Sequence, residues 1–203
     1  MNMDRLPLVC GIDEVGRGSL AGPLISVATL FRGYATGVEG VDDSKKLSPA
    51  KRSRIFKELL WSPFLAGFGI GEVSAEEIND IGIDEANAVS FIRAVERLPE
   101  APSYIIIDGR DALRGWDPIF MSAEPQADGK YPIVGAASIL AKVIRDSYMV
   151  ELSEMYPGYA WERNKGYGTA AHTEGLEQLG PTKFHRTKFI RNISFHHTGV
   201  PNA

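Results

Sequence analysis

Short apolar runs mark out the chain at strand length. Residues 8–14, 24–31 (Leu-Ile-Ser-Val-Ala-Thr-Leu-Phe), 64–72 and 104–108 (Tyr-Ile-Ile-Ile-Asp) are rich in branched and aromatic side chains and are bounded by glycine or proline, as buried β-strands are. A Gly-rich connection ending at Pro23 joins the first two, which predicts a hairpin. Elsewhere the pattern takes helical spacing. Ser48-Pro49 opens a helix through about Leu60, with serine as N-cap and proline at N1. Ser74-Ala75-Glu76-Glu77 carries a capping signature, and Ala86, Val89, Ile92, Ala94 and Val95 line one face of a helix running to about Leu98. Residues 135–155 read as a long buried helix whose start, Gly135-Ala136-Ala137-Ser138, is small enough to pack close to a sheet. Thr169 to Leu179 forms a short helix ended by Gly180-Pro181. Strands that pair first and then alternate with helices predict an α/β fold around a mixed sheet.

Composition narrows the class. With 203 residues, 44% hydrophobic and 24% charged, the chain has enough apolar material for one large domain or a domain with a small appendage. No apolar stretch reaches membrane-spanning length. Residues 1–7 lack the apolar segment of a secretory signal, and the single cysteine, Cys10, excludes an internal disulfide; a cytoplasmic location is expected. The net charge of −4 argues weakly against a nucleic-acid partner, but its distribution argues the other way. Residues 43–57 hold Lys45, Lys46, Lys51, Arg52, Arg54 and Lys57 against the single acid Asp43, and residues 181–203 hold Lys183, Arg186, Lys188 and Arg191 with no acid. Local basic patches count for more than the total in backbone binding, although each alone is equally a solvated face.

The acids carry the candidate chemistry. Asp13 and Glu14 end the first apolar run, and Gly16-Arg17-Gly18 follows. Burying unpaired carboxylates is costly, and a cation at the strand end removes that cost. Asp108-Gly109 repeats the arrangement after another apolar strand, and Asp128 lies in the loop before the long helix. Ligands collect at strand ends in α/β sheets, so Asp13 and Asp108 are expected to share a metal. Oxygen-only ligation favours Mg²⁺ or Mn²⁺. Singly, Asp13 or Asp108 reads as a turn acid; together, with Glu14 beside them, they favour the metal. Asp43 reads as a turn or phosphate-loop organiser and Asp146 as a partner of Lys142 or Arg145 at helical spacing. Consecutive strand residues face opposite ways, so either the strand bends at Glu14 or one of Asp13 and Glu14 ligates through its carbonyl.

The chain closely resembles the ribonuclease HII family. The resemblance rests on an ordered series: Gly11-Ile12-Asp13-Glu14-Val15-Gly16-Arg17-Gly18, Ala21-Gly22-Pro23, Asp43-Ser44-Lys45-Lys46-Leu47-Ser48, Ile107-Asp108-Gly109, Ala136 through Val143 with Arg145-Asp146, Tyr156-Pro157-Gly158-Tyr159, Lys165-Gly166-Tyr167-Gly168-Thr169 and His185-Arg186. It implies a ribonuclease H-like mixed five-stranded sheet flanked by helices, with a catalytic domain over 1–156 and a C-terminal helical, substrate-binding extension over 157–203. It implies hydrolysis of the RNA strand of RNA–DNA hybrids and nicking 5′ of single ribonucleotides in duplex DNA, leaving 3′-hydroxyl and 5′-phosphate ends. The family's four acids map onto Asp13, Glu14, Asp108 and Asp128. Gln126-Ala127-Asp128 lacks the lysine the family usually carries two residues before the last acid, which is expected to weaken substrate binding or shift metal affinity. Gly82 stands where many bacterial members have asparagine.

The expected mechanism is two-metal phosphodiester hydrolysis with Mn²⁺ or Mg²⁺, in which Asp13 bridges the ions and Glu14, Asp108 and Asp128 complete their shells. The Gly16-Arg17-Gly18 backbone is suited to sensing a 2′-hydroxyl, and Arg17 to holding a phosphate. Tyr167, by resemblance, stacks on the sugar after the ribonucleotide; by its sequence alone it packs against the C-terminal helix. Lys45, Lys46, Arg145, Lys165 and Arg186 are expected phosphate contacts. His172, His185, His196 and His197 show no metal-ligand spacing. The expected partners are RNA–DNA hybrid and ribonucleotide-containing duplex DNA, with no membrane and a monomeric protein. The rivals are a DNA-only nuclease of the same fold and a non-catalytic hybrid binder.

Overall fold

The computed structural model describes residues 6–42, 44–109 and 121–195; Asp43, His196 and His197 lie outside them. Five strands form one sheet: β1 (Leu8–Val15), β2 (Leu24–Arg32), β3 (Leu65–Val73), β4 (Tyr104–Asp108) and β5 (Met121–Glu124), in the order β3-β2-β1-β4-β5. β1 pairs antiparallel with β2, and β2 with β3, whereas β1–β4 and β4–β5 are parallel. The expected hairpin is therefore present, and the sheet is mixed.

Local chemistry explains most of the helices. Ser48 caps α1 (Pro49–Leu60), accepting from the Lys51 N–H at 3.3 Å, with proline in the first turn. Ser74 and Glu77 form a reciprocal capping box at the start of α2 (Ala75–Ile81). α3 (Ile83–Glu96) follows. The long helix α4 (Pro132–Met155) begins three residues before the expected 135, because Pro132 fits the first turn of a helix. Two four-residue helices that the sequence pattern did not announce, α5 (Trp161–Asn164) and α7 (Thr187–Ile190), flank α6 (Ala170–Leu179), whose N-cap is Thr169.

Each sheet face buries its own core. Val9, Val27, Phe31 and Ile106 pack against Ile55, Leu59, Ile133, Val134 and Leu140 of α1 and α4. Cys10, Ile12, Ala28, Leu30 and Ile107 pack against Phe91, Ala94 and Val95 of α3. Cys10 is thus a packed thiol whose burial pushes its pKa up. α4 crosses so near β1 that a Cβ at Gly11 would stand 2.5 Å from the Ile133 carbonyl oxygen, so only glycine fits. Thr29 on β2 secures this crossing by donating to the same carbonyl at 2.8 Å. A further cluster of Met149, Leu152, Tyr159, Trp161, Leu176 and Ile190 gathers the C-terminal helices onto the end of α4, together with Ala21 from the β1–β2 connection. α4 is consequently the beam that ties that connection to both the sheet and the C-terminal segment.

Candidate active site

Parallel pairing brings the first two acids together. Ile12 on β1 lies opposite Ile107 on β4, so Asp13 and Asp108 are the next residues along neighbouring strands and leave the sheet on the same side. The third acid arrives through a hydrogen bond: the Asp108 carboxylate accepts from the Ala127 N–H at 3.1 Å. That bond anchors the short 3₁₀ turn Ala127–Gly129, entered through a left-handed Gln126, and the turn places Asp128 just before α4. Carboxylate oxygens of Asp13, Asp108 and Asp128 all lie within 4.8 Å of one another. Asp13 is 5% exposed and Asp128 6%.

Glu14 is not in that close trio. β1 does not bend: Glu14 pairs with Ser26 and Val15 with Ile25. The strand's alternation therefore sends Asp13 towards α4 and Glu14 towards the α3 side. The Glu14 N–H donates to the Asp13 carboxylate at 2.8 Å, so the two acids are linked without sharing a face.

Electrostatics mark the trio as incomplete by itself. Burial holds the Asp13 carboxyl well above the usual carboxylate range; the charges of Glu14, Asp108 and Asp128 add to this, while a hydrogen bond from Ser138 opposes it. Ser138 in turn lies 2.8 Å from the Ser44 hydroxyl. Burial and Asp108 also push Glu14 up, against the pull of Arg17 and Lys45. Clustered, desolvated carboxylates with only oxygen donors fit a hard divalent cation of the Mg²⁺ or Mn²⁺ type. Lys46 stands over the turn, its Nζ 3.5 Å from where a Cβ on Gly129 would be, while pairing with Asp42 at 3.3 Å.

The remaining residues fall into two groups. Arg17, Gly18, Lys45 and Lys46 are exposed, and Arg17 bonds Asp84 at 2.6 Å across the mouth of the β1–β2 connection. Lys165 donates to the Glu162 carbonyl. Tyr167 is half-buried, its ring facing Lys142 and Arg145 of α4 at 5.7 and 5.5 Å. Arg145 and Arg186 correct the expectation of direct phosphate contact. Both are 0% exposed. Arg145 donates to the carbonyls of Ala21, Pro23 and Lys165, and Arg186 to those of Gly16, Arg17 and Gly22. Their guanidinium groups are turned onto backbone carbonyls of the connection and, for Arg145, of Lys165, leaving them no outward face. Asp146 pairs with Lys142 at 2.7 Å, as its helical spacing implies.

Two buried polar arrangements had no clear signal in the sequence. Ser138 is hidden in a run of small residues, and only its position one helical turn before Lys142 hints at a role. The buried histidines form a chain in which the Trp161 N–H donates to His172 Nε2 at 2.9 Å, with His185 Nε2 3.1 Å from the same atom. The other His172 nitrogen lies 3.0 Å from the Tyr167 carbonyl. Burial lowers both imidazole pKa values, that of His185 to about 3.

The family model described as Ribonuclease HII matches residues 10–192. Ribonuclease HII of Granulibacter bethesdensis is 45% identical over 185 residues, covering 90% of this chain and 83% of that protein. The crystal structure of ribonuclease H2 from Pyrococcus horikoshii OT3 superposes with a TM-score of 0.72 at 28% identity, over 92% of this chain and 96% of that one. Bst ribonuclease HIII, solved in complex with Mn²⁺, has the same fold at 22% identity and a TM-score of 0.65, over 94% of this chain and 64% of its own. The sheet is thus the ribonuclease H-like one, and the chain belongs to the ribonuclease HII family of endoribonucleases.

Proposed function

We propose that the protein hydrolyses the RNA strand of RNA–DNA hybrids and nicks duplex DNA on the 5′ side of single embedded ribonucleotides, serving ribonucleotide removal during replication and repair in the cytoplasm. The observation that carries this is the meeting of Asp13, Asp108 and Asp128 within 4.8 Å, directly beside a glycine-flanked turn with an exposed arginine. Asp13, Asp108 and Asp128, with Glu14 alongside, would hold divalent cations, Mn²⁺ or Mg²⁺. Bound there, the cations supply charge stabilisation for water attacking the phosphorus. Attack breaks the bond to O3′, so the upstream strand leaves with a 3′-hydroxyl and the ribonucleotide keeps the 5′-phosphate.

The chain's own residues choose and hold the substrate. Arg17, Lys45 and Lys46 are exposed beside the cluster and, with the half-buried Lys165, suit backbone phosphates, adding affinity without sequence preference. The Gly16–Gly18 backbone can approach a ribose, where only the 2′-hydroxyl separates RNA from DNA. Tyr167, held against Arg145, would stack on the sugar that follows the ribonucleotide. In this reading residues 1–156 act as the catalytic domain and 157–203 as a substrate-binding extension, in a protein that works as a monomer.

The test is a labelled DNA duplex with one ribonucleotide, incubated with Mg²⁺, Mn²⁺ or chelator beside all-DNA and long-hybrid controls. A metal-dependent nick at the DNA–ribonucleotide junction is expected. Comparable cleavage of the all-DNA duplex would overturn the substrate assignment, and full activity of Asp108→Asn would overturn the catalytic one.

A further inference from the structure

We propose that Arg186 is a positioning residue for ribose recognition: from inside the protein it orients two consecutive peptide groups of the Gly16–Gly18 turn so that their N–H groups point at the substrate. The role rests on the substrate proposed above, which supplies the 2′-oxygen those donors would meet.

The geometry begins with what the guanidinium touches. Arg186 Nη1 donates to the Gly16 carbonyl at 2.7 Å and to the Arg17 carbonyl at 3.0 Å. Its Nε and Nη2 donate to the Gly22 carbonyl at 3.1 and 2.9 Å. One planar fork therefore grips both ends of the connection between β1 and β2. In a planar trans peptide the C=O and the following N–H point in opposite directions. Drawing the carbonyls of Gly16 and Arg17 inward turns the N–H groups of Arg17 and Gly18 outward. The side they face is open: Arg17 and Gly18 are exposed, and a Cβ on Gly18 would meet nothing within 4 Å. Neither N–H has an acceptor among the described residues, whereas the next one, Ser19, turns back to the Gly16 carbonyl at 3.2 Å. Two adjacent outward donors form a small concavity for a single oxygen atom.

Charge reinforces the arrangement. The buried cation attracts the negative ends of these peptide dipoles, so their positive ends are left on the ligand side. Arg145 backs the turn from beneath. A Cβ on Gly16, whose φ is +90°, would fall 2.2 Å from the Arg145 Nε, so glycine at 16 lets the second guanidinium close the floor. The anchor of Arg186 itself is firm: its N–H donates to the Leu20 carbonyl at 2.8 Å, and the adjoining His185 bridges Ala21. Lysine cannot replace this grip, because an ammonium lacks the planar fork that spans three carbonyls at once.

The experiment compares the wild-type protein with Arg186→Lys, which keeps the charge and removes the fork. KM for a duplex with one embedded ribonucleotide is measured beside Ki for the matching all-DNA duplex as competitor, with Mn²⁺ affinity followed separately by titration calorimetry. The expected result is a KM raised about 10-fold, the worth of one to two lost hydrogen bonds, with Ki and Mn²⁺ affinity unchanged. A purely structural role would raise KM and Ki together; a folded variant with an unchanged Ki/KM ratio would overturn the proposal. A second measurement needs no variant: amide hydrogen exchange in chelator, where the Arg17 and Gly18 amides should be protected by the ribonucleotide duplex and not by the all-DNA one. Equal protection by both also overturns the proposal. If the wild-type protein itself shows no preference between the duplexes and cleaves both, it is the substrate assignment that falls, and this role with it.

Discussion

Replacing Asp13 by asparagine should make the metal-free protein more stable while removing its activity. Asp13 is buried within 4.8 Å of two other carboxylates. At an effective dielectric of about 20, each ionised pair at that separation repels by about 3 kcal/mol. The upward shift of the Asp13 carboxyl means that the folded protein already evades part of this by holding a proton, so the realised relief is smaller, about 1–2 kcal/mol. For a chain of this size that corresponds to a rise of about 2–8 °C in Tm. The assay is thermal unfolding in chelator and then in saturating Mn²⁺. Wild type should gain about 3 kcal/mol at a hundredfold excess over Kd, whereas Asp13→Asn should gain little. Its rate on the embedded ribonucleotide should fall by at least about 100-fold, more than loss of a residue that merely orients a ligand. The sign of the pH dependence follows from the same shift. A carboxyl whose folded pKa lies above its unfolded one binds more protons when folded, so the metal-free protein should lose stability as pH rises from about 4 through the folded value. A Tm that drops in chelator on Asp13→Asn, or Mn²⁺ stabilisation equal to wild type, would refute the idea that this cluster is assembled for cations.

Other consequences can be checked alongside. His185, with its pKa lowered to about 3 by burial and by His172, binds fewer protons folded than unfolded, so it should cost stability as pH falls from about 6.5 towards 3; urea titrations at pH 7 and pH 5 should show a smaller loss for His185→Gln than for wild type. Gly16→Ala should destabilise by about 2 kcal/mol or more, because it combines a positive φ with a clash against Arg145, as chemical denaturation would show. Lys46→Gln should flatten the log–log salt dependence of duplex binding by about 0.9, measured by fluorescence anisotropy, without altering any preference for ribonucleotide over DNA.

The chain's local chemistry was open to direct reading. Strands β1 to β4 are bounded runs of apolar residues, and Ser48, Ser74 and Thr169 announce their helices because capping is decided within four residues. Asp13 and Asp108 are legible as unusual for the same reason: each is a charge at the end of an otherwise apolar strand. β5 escaped notice because its four residues, all half-buried, have no alternation; they form a strand because β4 offers a free edge to pair with. Gln126, where the family resemblance leads one to expect lysine, shows only in the structure that it adopts a left-handed turn and that Lys46 leans over the same loop.

What the sequence determined by itself was the set of elements and the kind of chemistry, since periodicity, caps and misplaced acids are properties of neighbours along the chain. Only the tertiary structure decided which side chains share a space. The parallel register of β1 and β4 puts Asp13 beside Asp108, and one backbone hydrogen bond brings in Asp128, while strand alternation keeps Glu14 to the other face. It also reassigned Arg145 and Arg186. A guanidinium on a loop or helix reads as a surface cation until folding surrounds it with carbonyl oxygens from residues more than a hundred positions away, and no local pattern records so distant a partner.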